Sequence, residues 1–162
     1  MPRRSQAQAQ ETRRDLLRRA VNLASAHGLE GLSIGGLASA ASISKSGLFA
    51  HFGSKEELQL ATVEAAAEVF RAQVPGSLTA PEAGLPHLAE LAAAWLRYLE
   101  SSPFRGGCFF AAASLEMDDR PGRVRDAVAA RARQWQDLLE EAAAEAVDLG
   151  QLDPHPEGVA SD

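Results

Sequence analysis

The residues best suited to contact a polyanion lie in the first third of the chain. Ser44, Lys45, Ser46 and Gly47 stand at the front of a short segment that runs to His51. Hydroxyl and ammonium groups donate to phosphate oxygens or to base acceptors, and glycine lets a backbone come close. Lys55 follows Ser54 at the start of the next segment, where its charge and the free N–H groups of a helix start can hold one phosphate. The plainer reading of the same residues is a small helical bundle with ordinary serine caps.

The elements that must position these residues are helices. β-branched residues are sparse, alanine is abundant, and several stretches repeat apolar residues at spacings of three and four. The fold class is therefore all-α. A first helix is expected from about Thr12 to Ala26, with Leu16, Ala20, Leu23 and Ala24 as its stripe and Gly28 as its left-handed cap. The polar residues 1–11 are expected to form a disordered arm. Ser33 caps a second, short helix to about Ala40 that contains Gly35-Gly36, so either it is weak or a neighbouring backbone approaches it. Ala41-Ser42-Ile43 makes a tight turn, and Ser44 caps a third helix with Leu48 and Phe52 facing inward. Two short helices joined by such a turn form a helix-turn-helix, whose second helix enters the major groove of DNA.

Ser54 and Glu57 have capping-box spacing and open a long fourth helix that ends near Val74. The Pro- and Gly-rich stretch from Pro75 to Pro86 is the best internal boundary. Three more helices are expected beyond it: His87–Glu100, Cys108–Met117 after Gly106-Gly107, and Arg123–Leu149.

Composition agrees with this division. The chain has 162 residues, one cysteine and a net charge of −6, yet residues 1–59 carry eight basic and five acidic side chains while the remainder carries eight and seventeen. A basic front joined to an acidic back suits a nucleic-acid-facing end attached to a unit with another task. One cysteine excludes an intramolecular disulfide framework, and neither a signal core nor an apolar run of membrane length is visible. The expected location is cytoplasmic.

From Ala41 to Leu58 the chain reads Ala-Ser-Ile-Ser-Lys-Ser-Gly-Leu-Phe-Ala-His-Phe-Gly-Ser-Lys-Glu-Glu-Leu. This run resembles the DNA-binding signature of TetR-family transcriptional regulators, and the resemblance extends back through Ser33 and Gly28 to about Thr12. The resemblance implies a helix-turn-helix domain over residues 12–58 and a helical effector-binding and dimerisation domain over residues 59–162. It implies DNA contacts from Ser33, Ser44, Lys45, Ser46, Gly47, Phe49, His51 and Lys55. Phe49 stands where the family usually has tyrosine, so a phosphate bond from a hydroxyl is lost and packing or sugar contact is left. Ser42 replaces the family's turn glycine, which strains the turn by roughly 1 kcal/mol if that position needs a positive φ. The family's last two helices have no counterpart before the chain stops, which puts the homodimer expected for the family in doubt.

The function implied is that of a repressor released from a palindromic double-stranded DNA operator by a small-molecule effector. The alternative is a helical ligand-binding or interaction protein that has lost DNA binding through truncation. Trp95, Tyr98, Phe104, Cys108, Phe109, Phe110 and Trp135 are the candidate effector pocket, although simple core packing accounts for each taken singly. No phosphate-loop, dinucleotide or nucleophile-and-base pattern is present, and the four histidines show no metal-ligand spacing, so no enzyme activity, cofactor or metal is expected.

Overall fold

The computed structural model describes residues 2–79, 82–101 and 103–153. Among them the chain forms α1 (Pro2–His27), α2 (Ile34–Ala41), α3 (Lys45–Phe52), α4 (Lys55–Gln73), α5 (Leu85–Ser101), α6 (Phe109–Met117) and α7 (Arg123–Asp148), with a single 3₁₀ turn at Pro75–Ser77. No strand occurs among the described residues.

Helix α1 begins well before Thr12, so residues 2–11 are helical where a disordered arm is expected. Alanine, glutamine, glutamate and arginine are good helix formers, and nothing in that stretch breaks the pattern. Thr12 is not a cap: its hydroxyl donates back to the Gln8 carbonyl at 2.9 Å, a bond made inside a continuing helix. Gly28, at φ +81°, closes α1 in the left-handed conformation.

Helices α1 to α3 close around Leu16, Ala20, Leu37, Leu48 and Phe52, all buried. The serine caps hold as the local sequence dictates. Ser33 accepts from the Gly36 N–H, Ser44 from Gly47 and Ser54 from Glu57, each at 3.0 Å. The last residues of these helices are served by α1. Arg13 donates to the His51 carbonyl and lies 4.5 Å from the Phe52 ring, and Arg19 donates to the Ala40 carbonyl at 3.3 Å. Cations at helix C-termini satisfy orphan carbonyls and the helix dipole. Two of the basic residues that tilt the front of the chain positive therefore brace α2 and α3.

The turn between α2 and α3 carries the strain anticipated for it. Ser42 sits at φ 55°, ψ 39°, the one non-glycine residue with positive φ among those described. Its N–H, with that of Ile43, returns to the end of α2. Ser42→Gly should relieve roughly 1 kcal/mol of strain and give back about half of it as unfolded-chain entropy. The expected net gain, about 0.5 kcal/mol in urea unfolding, is small but positive.

Helix α4 joins the two halves: its first turn borders α3 and its body packs on α1, α5 and α7. The α5 stripe is rotated by about one position from Leu88, Leu91, Trp95 and Leu99. Leu91, Ala94 and Tyr98 face the core, and Trp95 moves to the rim. Phe104 and Phe109 complete the core with edge-on rings 6.3 Å apart.

Candidate nucleic-acid interface and effector pocket

The exposed face of α2 and α3 gathers most of the residues expected at DNA. Ser33 and Ser44 stand at the two helix starts as caps, and Ser46 lies 3.1 Å from Ser44 through their hydroxyls. Each serine cap takes one N–H of its helix start, Gly36 in α2 and Gly47 in α3, and leaves the other first-turn N–H groups without an intrahelical partner. The Lys45 side chain crosses the start of α2, where a Cβ on Gly35 would meet its Cε at 3.2 Å. The approach at Gly35 is thus a lysine side chain rather than a neighbouring backbone.

Phe49 is 56% exposed, so more than half of its surface faces solvent. An aromatic ring left in water on this face is available for sugar or methyl contact. His51 is half-buried at the end of α3 beside Phe52.

Lys55 is already engaged. Its Nζ donates to the Glu30 carbonyl at 2.7 Å and to the Glu30 carboxylate at 3.2 Å. The hydrogen bond from Lys55, aided by its charge and by Gln59 and Arg120, holds the Glu30 carboxyl below its usual range against the opposing effect of burial. Arg120 reaches the same carboxylate at 3.8 Å. The Glu57 carboxylate leaves the capping box half-formed, because it and Glu56 take the Arg123 guanidinium at 2.7 and 3.0 Å.

The second candidate site is a half-open cavity of about 690 Å³ between α4, α5, α6 and α7. Trp95, Cys108, Phe110 and Trp135 are on its wall, joined by Phe70 and Arg71 of α4 and Arg131 of α7. Phe70 organises the aromatic side: Trp135 stands edge-on to it at 5.3 Å and Tyr98 at 5.2 Å. Tyr98, Phe104 and Phe109 do not line the cavity; they are core residues. The reason is the rotation of α5 and the direction of α6, which turns Phe109 inward and Phe110 toward the cavity. The Tyr98 hydroxyl is buried without a hydrogen-bond partner, and burial, with the neighbouring Cys108, pushes the phenol far above its ordinary range. It stays neutral.

Glu64 binds both Arg71, at 2.9 Å, and Arg131 at the cavity edge. Burial works to raise the Glu64 carboxyl, but the Arg71 hydrogen bond and the Arg131 charge outweigh it and hold the group below its usual range. A volume of this size suits a drug-sized molecule, and apolar rings with a few placed polar groups are the usual lining of such a site.

Sequence reasoning missed the residues that join the two sites. Gln59 is buried on α4 and donates to the Leu29 carbonyl at 2.7 Å. Glu116 of α6 accepts from the N–H groups of Leu29 at 2.7 Å and Glu30 at 2.9 Å. Asn22 and Ser25 of α1 accept from the Arg105 and Gly106 N–H groups. A polar residue on the inward face of α4 is a visible signal for Gln59; Glu116 carries none.

A helix-turn-helix head set on a helical unit with its own cavity defines a DNA-binding regulator of two functional parts. The model of bacterial regulatory proteins of the tetR family matches residues 16–62, and that of the tetracyclin repressor-like C-terminal domain matches residues 84–161. The chain belongs to the TetR family of transcriptional regulators.

Solved structures agree. A TetR transcriptional regulator from Chloroflexus aurantiacus J-10-fl superposes with TM-score 0.79 at 28% identity, covering 93% of this chain and 76% of that one. A TetR-family regulator from Streptomyces coelicolor gives 0.72 at 28% identity, covering 85% and 71%. AibR, crystallised with isovaleryl coenzyme A and operator DNA, gives 0.72 at 24% identity, covering 88% and 76%. At that identity AibR shares the fold alone. No curated protein sequence matches the chain. No helix among the described residues is long and apolar enough to cross a membrane.

Proposed function

We propose that this regulator represses transcription by binding a palindromic operator through α2 and α3, and is released when a small molecule fills the cavity between α4 and α7. The observation that carries the reading is the continuity of α4. One helix presents Lys55 at the reading head and Phe70 and Arg71 at the cavity, about 22 Å apart at 1.5 Å per residue. A ligand that shifts the far end of α4 changes how its near end meets DNA, which is coupling by differential affinity of two states. That AibR holds a small molecule and operator DNA on this fold supports the same division of labour here. Ser33, Ser44, Lys45, Ser46, Gly47, Phe49, His51 and Lys55 are the proposed DNA contacts. Trp95, Cys108, Phe110 and Trp135 are the proposed effector wall. A homodimer follows from the palindrome, with one head in each half-site.

Selection of random duplexes against the purified chain at moderate salt tests this. Recovery of a palindrome is the expected result. A lone half-site would remove the dimer from the proposal, and absence of any enrichment from a folded, helical sample would favour a ligand-binding protein without DNA affinity.

A further inference from the structure

Lys55 does not sit free at the head of α4. Two of its three donor directions are taken by Glu30, one by the main-chain carbonyl and one by the side chain. That leaves the third for solvent or a phosphate oxygen, and the side chain is 44% exposed. The direction of the ammonium therefore depends on where the backbone of Glu30 lies.

That backbone is held from the other half of the molecule. Both carboxylate oxygens of Glu116 are committed to the loop, Oε2 to the Leu29 N–H and Oε1 to the Glu30 N–H. The loop is shaped to receive it: a Cβ on Gly28 would fall 2.5 Å from Glu116 Oε1. Gln59 grips the opposite side of the same loop through the Leu29 carbonyl. Glu116 lies on α6, whose Phe110, Ala111 and Ser114 line the cavity. A continuous chain of contacts thus runs from the cavity wall through α6 and the 28–30 loop to Lys55, reaching the head of α4 without passing along its length.

We propose that Glu116 is a positioning residue for DNA binding: by holding the Leu29 and Glu30 backbone it places the carbonyl that aims Lys55 at a phosphate. This rests on Lys55 being a phosphate ligand, as argued under the proposed function. An α6 displaced by a molecule in the cavity draws Glu116 from the loop and loosens Lys55 without any movement of α4.

The test is the affinity of the full chain for a fluorescein-labelled duplex of mixed sequence, measured across a salt series. The variants are Lys55→Ala, Glu116→Ala, Glu116→Gln and the Lys55→Ala/Glu116→Ala pair. Lys55→Ala should weaken binding and lower the salt slope by about one for each reading head. Glu116→Ala should weaken binding by roughly three- to tenfold and lower the slope in the same direction. The double variant should bind no more weakly than Lys55→Ala alone, because both changes remove one contact. Glu116→Gln keeps one acceptor oxygen for the loop and should fall between wild type and Glu116→Ala.

Losses that add in the double variant, or a Glu116→Gln variant that melts like wild type yet binds like Glu116→Ala, overturn the positioning role and leave the DNA-binding reading intact. Lys55→Ala binding like wild type overturns the phosphate assignment and the positioning role with it. A wild-type chain without affinity for duplex overturns the proposed function itself.

Discussion

Gly106→Ala is expected to destabilise the protein more than any other single-methyl addition considered. A Cβ at this position would lie 1.7 Å from the Ser25 carbonyl oxygen and 2.8 Å from the Ala26 nitrogen. Both are backbone atoms in the last turns of α1, so no rotamer change can make room. Either α1 or the connection between α5 and α6 must move, and the hydrogen bonds that the Arg105 and Gly106 N–H groups donate to Asn22 and Ser25 go with it. Overpacking of this kind costs about 1–3 kcal/mol, and the lost hydrogen bonds add to it. A loss of about 3 kcal/mol or more lowers the melting temperature by roughly 10 °C for a chain of this size. Gly107→Ala is the control. Gly107 has φ +84° but nothing within 4 Å of its missing Cβ, so it should lose only about 1 kcal/mol. Thermal melts followed by circular dichroism distinguish them, and equal melting of the two variants would remove the close-approach argument.

The contrast between these two glycines shows what a sequence can and cannot tell. Gly106-Gly107 is visible as a break before an apolar helix, but nothing local says that one glycine answers to its own φ and the other to a helix 80 positions away. The reading head was legible because its determinants are local. Ser33, Ser44 and Ser54 each cap the helix that begins beside them, whereas the left-handed conformation of Ser42 was suggested only by the family resemblance, which has glycine at that position. Arg13 and Arg19 were legible as charge but not as braces, since their acceptors lie in α3 and α2. Trp95 and Tyr98 exchange places between core and rim because α5 packs on α4, α7 and the Pro75–Ser77 turn at once, and a single apolar stripe does not fix its rotation to better than one residue. Glu116 was invisible for the same reason as Gly106: its partners are backbone N–H groups some 87 positions earlier, and backbone groups have no sequence.

Glu30→Gln is expected to tighten DNA binding. The Glu30 main-chain carbonyl orients Lys55, whereas the Glu30 carboxylate places a negative charge where a phosphate must approach. Glutamine keeps the carbonyl and removes the charge. It also removes one of the two carboxylates beside Arg120, the Glu30 group at 3.8 Å, and leaves Asp119 at 3.9 Å. One unit of charge beside a phosphate contact is worth about five- to tenfold at low salt, shrinking as the Debye length falls. The ion pair is exposed, so the cost in stability should stay below about 1 kcal/mol. Acidification does not reproduce the effect between pH 7 and pH 5. The hydrogen bond from Lys55 holds the folded-state carboxyl below its usual range, so the charge persists there. The sign for stability follows: a depressed carboxyl contributes fully above its unfolded value, and that contribution is lost only as the pH falls through the lower folded value. Fluorescence anisotropy of wild type and Glu30→Gln on the same duplex, at low and moderate salt and at both pH values, checks each part. Weaker binding by Glu30→Gln would mean that the carboxylate aims Lys55 more than it repels phosphate, and that the carbonyl held by Glu116 is insufficient alone.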